Sequence, residues 1–364
     1  MSRIAWWIPA CLLAPGLVFS GPSDSPDVIT YRGEPGNTGA FDTEPLREQQ
    51  GVKWVFSAQD QITAVPLLWN EAVYFGDYSG RLYALAATTG KILWIFETGD
   101  RIYGCPTILD GTAYFGSKDG HLYAVDAATG VEKWKFETGG SVCFPPAIQD
   151  GIAYFGSHDK NLYLVDVETG EQKGQVEIGH EMCAMPAFYD GQVMVGDWGG
   201  HLHSLPRDEP GGGWTFDTGG KVYSAAAVCD GVVYFGSLDS TLYALDGATG
   251  EELWRYRGDA GIPTSPAVSE GMVVFVTSDS HIYALGQETG GRIWDLDLEG
   301  MVWSHPVIAR HVVYFGGGDG LLHALDLHTG EALFEFQPDE EAGNLAVADG
   351  VVYLGAGNLL YCLN

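Results

Sequence analysis

The sequence predicts an all-β protein: an eight-bladed β-propeller of four-stranded antiparallel blades, its ring closed by an N-terminal strand that completes the last blade. Three observations predict it: a forty-residue self-similarity, four strand signals in each repeat, and two incomplete ends that complement each other. A repeat of this length with four strands specifies a propeller blade.

The first column of the repeat is Tyr74-Phe75-Gly76, which returns as Tyr114-Phe115-Gly116 and Tyr154-Phe155-Gly156. It continues through Val195-Gly196, Tyr234-Phe235-Gly236, Phe275-Val276, Tyr314-Phe315-Gly316 and Tyr353-Leu354-Gly355. About eight residues later comes a second column, from Leu82-Tyr83-Ala84-Leu85 to Leu360-Tyr361-Cys362-Leu363. The third column is Trp54, Trp94, Trp134, Trp214, Trp254 and Trp294, with Gly174 and Phe334 in its gaps.

Within the second full repeat, the four strands are expected at 106–109, 112–117, 121–126 and 132–137. Asp110-Gly111 and Lys118-Asp119-Gly120 separate them as tight turns, because Gly accepts the positive φ such hairpins need. The strand segments are rich in β-branched and aromatic residues, and none carries a helical period. The strand at 52–56 has no partners before it, and the last repeat stops after its third strand. Pairing those two ends leaves no open seam in the ring.

The remaining segments follow from this frame. Residues 1–20 read as a secretory signal peptide, with Arg3 before an apolar run and Val18-Phe19-Ser20 before Gly21. The run is short and broken by Pro9 and Pro15, so no transmembrane span is expected once the signal is removed. Cys11 falls in the middle of that run, a poor position for lipid attachment. Residues 21–51 read as a polar arm without a core of its own, and 52–364 as the propeller. A closed ring of this kind is expected to be monomeric.

Composition narrows the partners. The chain has 18 Lys and Arg against 48 Asp and Glu, a net charge of −30. Such a surface repels phosphate backbones, which excludes nucleic acid. Many of the acids sit in turns, where Asp serves the backbone. Cysteine usage excludes a disulfide-built scaffold: removing the signal leaves Cys105, Cys143, Cys183, Cys229 and Cys362, an odd number without framework spacing. One bridge, Cys143 to Cys183, is allowed.

Ala124 to Trp134 and Ala244 to Trp254 (ALDGATGEELW) resemble the tryptophan-docking repeat of the PQQ-like, quinoprotein-type propellers. The resemblance covers the chain from about residue 52 onward. It implies that Trp54, Trp94, Trp134, Trp214, Trp254 and Trp294 dock structurally against neighbouring blades, and that the interface at Gly174 is thinner. It also implies two roles. One branch is the quinone-dependent dehydrogenases; the other comprises non-catalytic propellers similar to the outer-membrane assembly protein BamB.

The dehydrogenase branch would use pyrroloquinoline quinone with calcium, a catalytic carboxylate and, in alcohol dehydrogenases, adjacent cysteines. This chain has no Cys-Cys pair and no insertion between its blades, and no carboxylate stands out from the turn columns. No catalytic residue, metal ligand or cofactor is therefore assigned. The expected function is an exported, periplasmic, outer-membrane-associated scaffold binding a protein or peptide partner in the cell envelope. A quinoprotein dehydrogenase and a ligand- or carbohydrate-sensing propeller are the alternatives.

The candidate binding surface consists of residues that break the repeat on one face. Lead-ins to the first strands and the second hairpin turns share that face, which carries Tyr78, Tyr103, His158, Trp198, Tyr223, Trp303 and His305. Aromatics where other repeats place small turn residues are common in binding surfaces. Cys105, Cys143 and Cys183, with Met182, Met185 and His180, make a soft-ligand group without metal-site spacing. His201 and His203 lie on one side of a strand, but His203 and His323 occupy the Tyr slot of the second column and read as structural substitutions.

Overall fold

A computed structural model describes residues 28–30, 32, 33, 36–207, 212–298, 300, 301 and 304–364. The expected signal peptide, Cys11 and Trp303 lie outside the described residues. Eight sheets form the ring, each with four blade strands. Blades 1 to 7 span 67–97, 107–137, 147–177, 187–217, 227–257, 267–297 and 307–336. Blade 8 takes three strands from 342–363 and its outer strand from Val52–Ser57, which pairs antiparallel with Leu359–Leu363. No helix among the described residues is long and apolar enough to cross a membrane.

The strands follow the repeat, with one recurrent difference. The first strand of blade 2 is Thr107–Leu109 and omits Pro106. Proline stands at the equivalent place in blades 1, 3, 4, 6 and 7 as Pro66, Pro146, Pro186, Pro266 and Pro306. It has no N–H to give to a ladder, so the innermost strand starts one residue later. Second and third strands are buried on both faces, whereas outer strands such as Glu132–Glu137 alternate exposed and half-buried positions. A bulge between the third and outer strands recurs at Ala84/Leu85, Ala124/Val125 and Ala244/Leu245, adding twist where the blade fans outward.

Neighbouring blades are joined through the first and third repeat columns. Trp94 Nε1 donates to the Ala127 carbonyl of the next blade at 2.9 Å, and Tyr74 Oη donates to the same carbonyl at 3.0 Å. Trp134 and Tyr114 converge in the same way on Val167, and Trp254 and Tyr234 on Gln287. Each indole lies on the backbone of a turn glycine. A Cβ on Gly130, whose φ is +71°, would sit 2.7 Å from the Trp94 ring. Gly174 has no side chain to dock, and the atoms nearest to a Cβ placed on it belong to Leu164 of its own blade.

Two families of turn Asp recur around the ring. Asp119, Asp159 and Asp239 each accept the hydroxyl of the second-column Tyr at 2.7–2.8 Å and the N–H of a glycine in the preceding blade at 2.7–2.8 Å. Burial alone would raise these carboxyls, but the donated hydrogen bonds outweigh it and hold them below their ordinary range. Asp126, Asp166, Asp246 and Asp326 accept the backbone N–H of a Thr three residues on and close the third turn of their blades.

The arm runs across one end of the central channel. Val28–Ile29 pairs with the first strand of blade 2, and Ala40–Phe41 with that of blade 7. Between them Gly36, Thr38 and Gly39 accept backbone N–H groups of Val228, Val268 and Ile308, and farther on Glu44 accepts that of Gly350. The Arg32 guanidinium is buried and donates to the carbonyls of Asn37 and Pro266. The first strand of each blade is an edge facing the channel, and the arm satisfies these edges on blades 2, 5, 6 and 7 and bonds the first hairpin turn of blade 8. It therefore covers the channel end opposite the lead-ins.

Candidate functional site: the uncovered mouth of the channel

At the other end, the backbone itself sets the geometry. The first residue of each second hairpin turn donates its N–H to a lead-in carbonyl of the same blade: Tyr78 to Gln61, Lys118 to Arg101, His158 to Ser141, Trp198 to Glu181 and Leu238 to Lys221, at 2.9–3.0 Å. Turn tip and lead-in are thereby fixed side by side around the mouth. Residues forty apart in sequence become neighbours because a ring places equivalent positions at one height and radius.

Five of the expected residues meet there. Tyr78 and Tyr103 pack edge to face with centroids 5.3 Å apart. His158 lies 5.0 Å from Trp198, which stacks on Tyr223 at 5.8 Å with 15° between planes. Cations flank both groups. Arg101 Cζ is 4.7 Å from the Tyr78 ring, Lys118 Nζ 5.7 Å from Tyr103 and Lys221 Nζ 4.1 Å from Trp198. The Trp198 indole Nε1–H is buried and has no acceptor among the described residues. Burial, then the Cys183 and Cys143 sulfurs, and lastly Tyr103 across the mouth push the Tyr223 hydroxyl well above its ordinary range.

His305 sits elsewhere. Its Nδ1 accepts the Ser265 N–H at 2.9 Å, while its own N–H goes to Asn344 Oδ1 at 3.2 Å. Ala225 N–H donates to Ser265 Oγ, and Asn344 Nδ2 reaches the Thr63 carbonyl at 2.8 Å. These bonds form a belt through the channel wall from blade 5 round to blade 1. Burial, with the Arg32 charge behind it, pushes the His305 imidazole down to about 3, so it is neutral near pH 7.

The soft-ligand group is divided by the fold. Met182 is buried against Gly156, and Cys105 and Met185 lie in the core shared by blades 1 to 4. His180 stands with Asp197 and His201. Cys143 and Cys183 remain together and gain His158, whose Nε2 is 3.3 Å from Cys143 Sγ; the three ligand atoms lie within 4.8 Å of one another. Both cysteines are free thiols. Hydrogen bonding with Cys183, reinforced by His158, holds the Cys143 thiol below its ordinary range, while the Cys143 sulfur, as an acceptor for the imidazolium, raises His158. Cys183 is raised, first by the Cys143 sulfur and then by burial.

The signal for this trio was present in the repeat. His158 follows Cys143 by fifteen residues, the offset between lead-in and turn tip, but sequence reading kept the aromatic and the sulfur residues apart. The other histidine pair is structural. His201 Nδ1 and His203 Nε2 both bond Asp197 Oδ2, at 2.9 and 3.0 Å, and His323 bonds Asp319 as Tyr123 bonds Asp119.

Comparison with known proteins agrees with this architecture. A family profile described as "Outer membrane protein assembly factor BamB" matches residues 47–186, 199–300 and 280–364. Among solved structures, BamB from Moraxella catarrhalis superposes with a TM-score of 0.76 at 20% identity, covering 86% of this chain and 99% of that one. The computationally designed Ika8 protein gives 0.74 at 21% identity over 87% of this chain and 99% of that one. Quinohemoprotein alcohol dehydrogenase from Comamonas testosteroni gives 0.79 at 15% identity over 92% and 80%. No curated protein sequence matches the chain significantly. At such identities the superpositions speak for the fold alone, whereas the profile spans nearly the whole ring. The chain belongs to the outer membrane protein assembly factor BamB family.

Proposed function

We propose that the protein is an exported, non-catalytic scaffold of the bacterial envelope that binds an extended segment of a partner protein in outer-membrane protein assembly. The observation that carries this reading is the mouth: Tyr78, Tyr103, Trp198 and Tyr223 flanked by Arg101, Lys118 and Lys221 on a chain of net charge −30. Rigid aromatics offer large contact area at small entropic cost, and local cations attract carboxylates the rest of the surface repels. The Trp198 N–H lacks an acceptor that a partner's carbonyl or carboxylate would supply. Family membership supports the envelope location and a protein partner.

Immobilised full-length protein exposed to detergent-solubilised outer membranes should retain the barrel-assembly machinery. Replacing Trp198 and Tyr103 together by Ala should lower retention by roughly tenfold or more. Unchanged retention would remove this face from the function.

The dehydrogenase alternative needs pyrroloquinoline quinone and calcium, and the mouth does not fit them. Calcium takes six to eight oxygen ligands. Among the described residues, the potential ligand group at the mouth consists of two sulfurs and an imidazole. Adding the quinone with calcium should leave the melting temperature unchanged; a rise would restore the enzyme reading.

A further inference from the structure

We infer that Cys143, His158 and Cys183 form a binding site for one thiophilic d10 cation, zinc(II) or copper(I), at the channel mouth. The claim goes beyond the scaffold reading and stands or falls without it.

Three observations converge. First, the donors are of one chemical kind: two thiols and an imidazole suit zinc and copper(I), and no carboxylate belongs to the group. Second, their spacing fits. A tetrahedral ion with bonds of about 2.3 Å to sulfur and about 2.0 Å to nitrogen holds the two about 3.5 Å apart; Cys143 Sγ and His158 Nε2 are 3.3 Å apart, with Cys183 Sγ within 4.8 Å of both.

Third, the donors are held in place before any ion arrives. The His158 backbone N–H is tied to the Ser141 carbonyl, and its ring packs on Trp198. Such outer contacts orient ligands and strengthen metal sites.

Three protein ligands leave a position open toward the mouth, where His158 is half-buried while both sulfurs are buried. The ion would join blade 3, through Cys143 and His158, to the lead-in of blade 4 through Cys183. This is the junction where Gly174 replaces the docking tryptophan. The site would thus add a link where the repeat omits one.

The test uses the full-length protein, reduced with a phosphine and freed of metal. It is titrated with zinc(II) against a chromophoric chelator, with copper(I) against bicinchoninate, and with cobalt(II) as a spectral probe. One equivalent should bind, and the cobalt form should show a near-ultraviolet thiolate charge-transfer band. Cys143→Ser and Cys183→Ser should each weaken binding by roughly 100-fold or more, and His158→Ala by about tenfold or more. Cys105→Ser, a cysteine of the core, should bind as the parent does. Whichever of zinc(II) and copper(I) wins the competition names the ion. Absence of one-equivalent binding by both would overturn the site, as would a cobalt spectrum without thiolate bands. So would a Cys143–Cys183 bridge that re-forms in the presence of the metal. The spectrum is read on the unaltered chain, so a variant that fails to fold does not obscure the result.

Discussion

Tyr314 Oη donates to the Leu46 carbonyl at 2.7 Å, across 268 residues of sequence. Leu46 there plays the part that Ala127 plays for Tyr74: a backbone oxygen from outside the blade that receives the first-column hydroxyl. Blade 7 faces blade 8, whose outer strand is Val52–Ser57 and whose third turn is therefore missing. The arm fills that place, and Phe334, which has no N–H to donate, stands in blade 7 at the tryptophan position. Removing the hydroxyl in Tyr314→Phe should cost about 1 kcal/mol, measured as a lower unfolding midpoint. An unchanged midpoint would show that the arm's seat does not depend on this bond.

The turn glycines beneath the indoles should be far less replaceable than open first-hairpin glycines such as Gly151. Gly130 and Gly151 have nearly the same φ, +71° and +75°, but a Cβ on Gly130 meets Trp94 at 2.7 Å and one on Gly151 meets nothing within 4 Å. Gly151→Ala should cost about 1 kcal/mol for the left-handed backbone alone. Gly130→Ala must also displace the indole and strain its bond to Ala127, and should cost about 2–4 kcal/mol. Equal losses in chemical denaturation would refute docking as the reason for the glycine.

His305 gives the fold a dependence on pH. A histidine in the unfolded chain takes up a proton near pH 6.5, whereas the folded chain holds His305 neutral down to about 3. The unfolded state then binds more protons, so this group's contribution is full above about pH 6.5 and declines as pH falls toward 3. His305→Asn keeps a side-chain acceptor for the Ser265 N–H and removes the titration. The melting-temperature advantage of the parent over this variant should shrink between pH 7 and pH 4. A constant gap would mean that the imidazole takes up its proton as readily in the fold as in the unfolded chain.

Partner binding at the mouth should be sensitive to salt despite the acidic surface. Lys221→Glu removes the cation 4.1 Å from the Trp198 ring and should weaken binding roughly threefold to fivefold at low ionic strength, converging with the parent at high salt. A variant that binds as well as the parent in low salt would argue that the aromatics act without the charges.

The sequence by itself determined the ring. A forty-residue period, strand signals of period two and Asp-Gly turns are local patterns, and eight copies of one local pattern have one way to close. Even the closing strand was legible, because an orphan strand at one end and a missing strand at the other are both countable. The short innermost strands could also have been read, from the proline column that precedes them.

Only the tertiary structure decided what the irregular residues do. The arm carries no repeat, and its partners are edge groups on four blades and a hairpin turn on a fifth, so nothing local marks its path. His305 breaks its column as visibly as Trp198 does, but one lies in the wall belt and the other on the open mouth, which depends on a height difference of two residues along the channel. Cys143, His158 and Cys183 were each noticed as departures from the repeat. Their meeting follows from the radius of the ring, which brings adjacent lead-ins and the turn tip between them within bonding range, a distance that no spacing along the chain encodes.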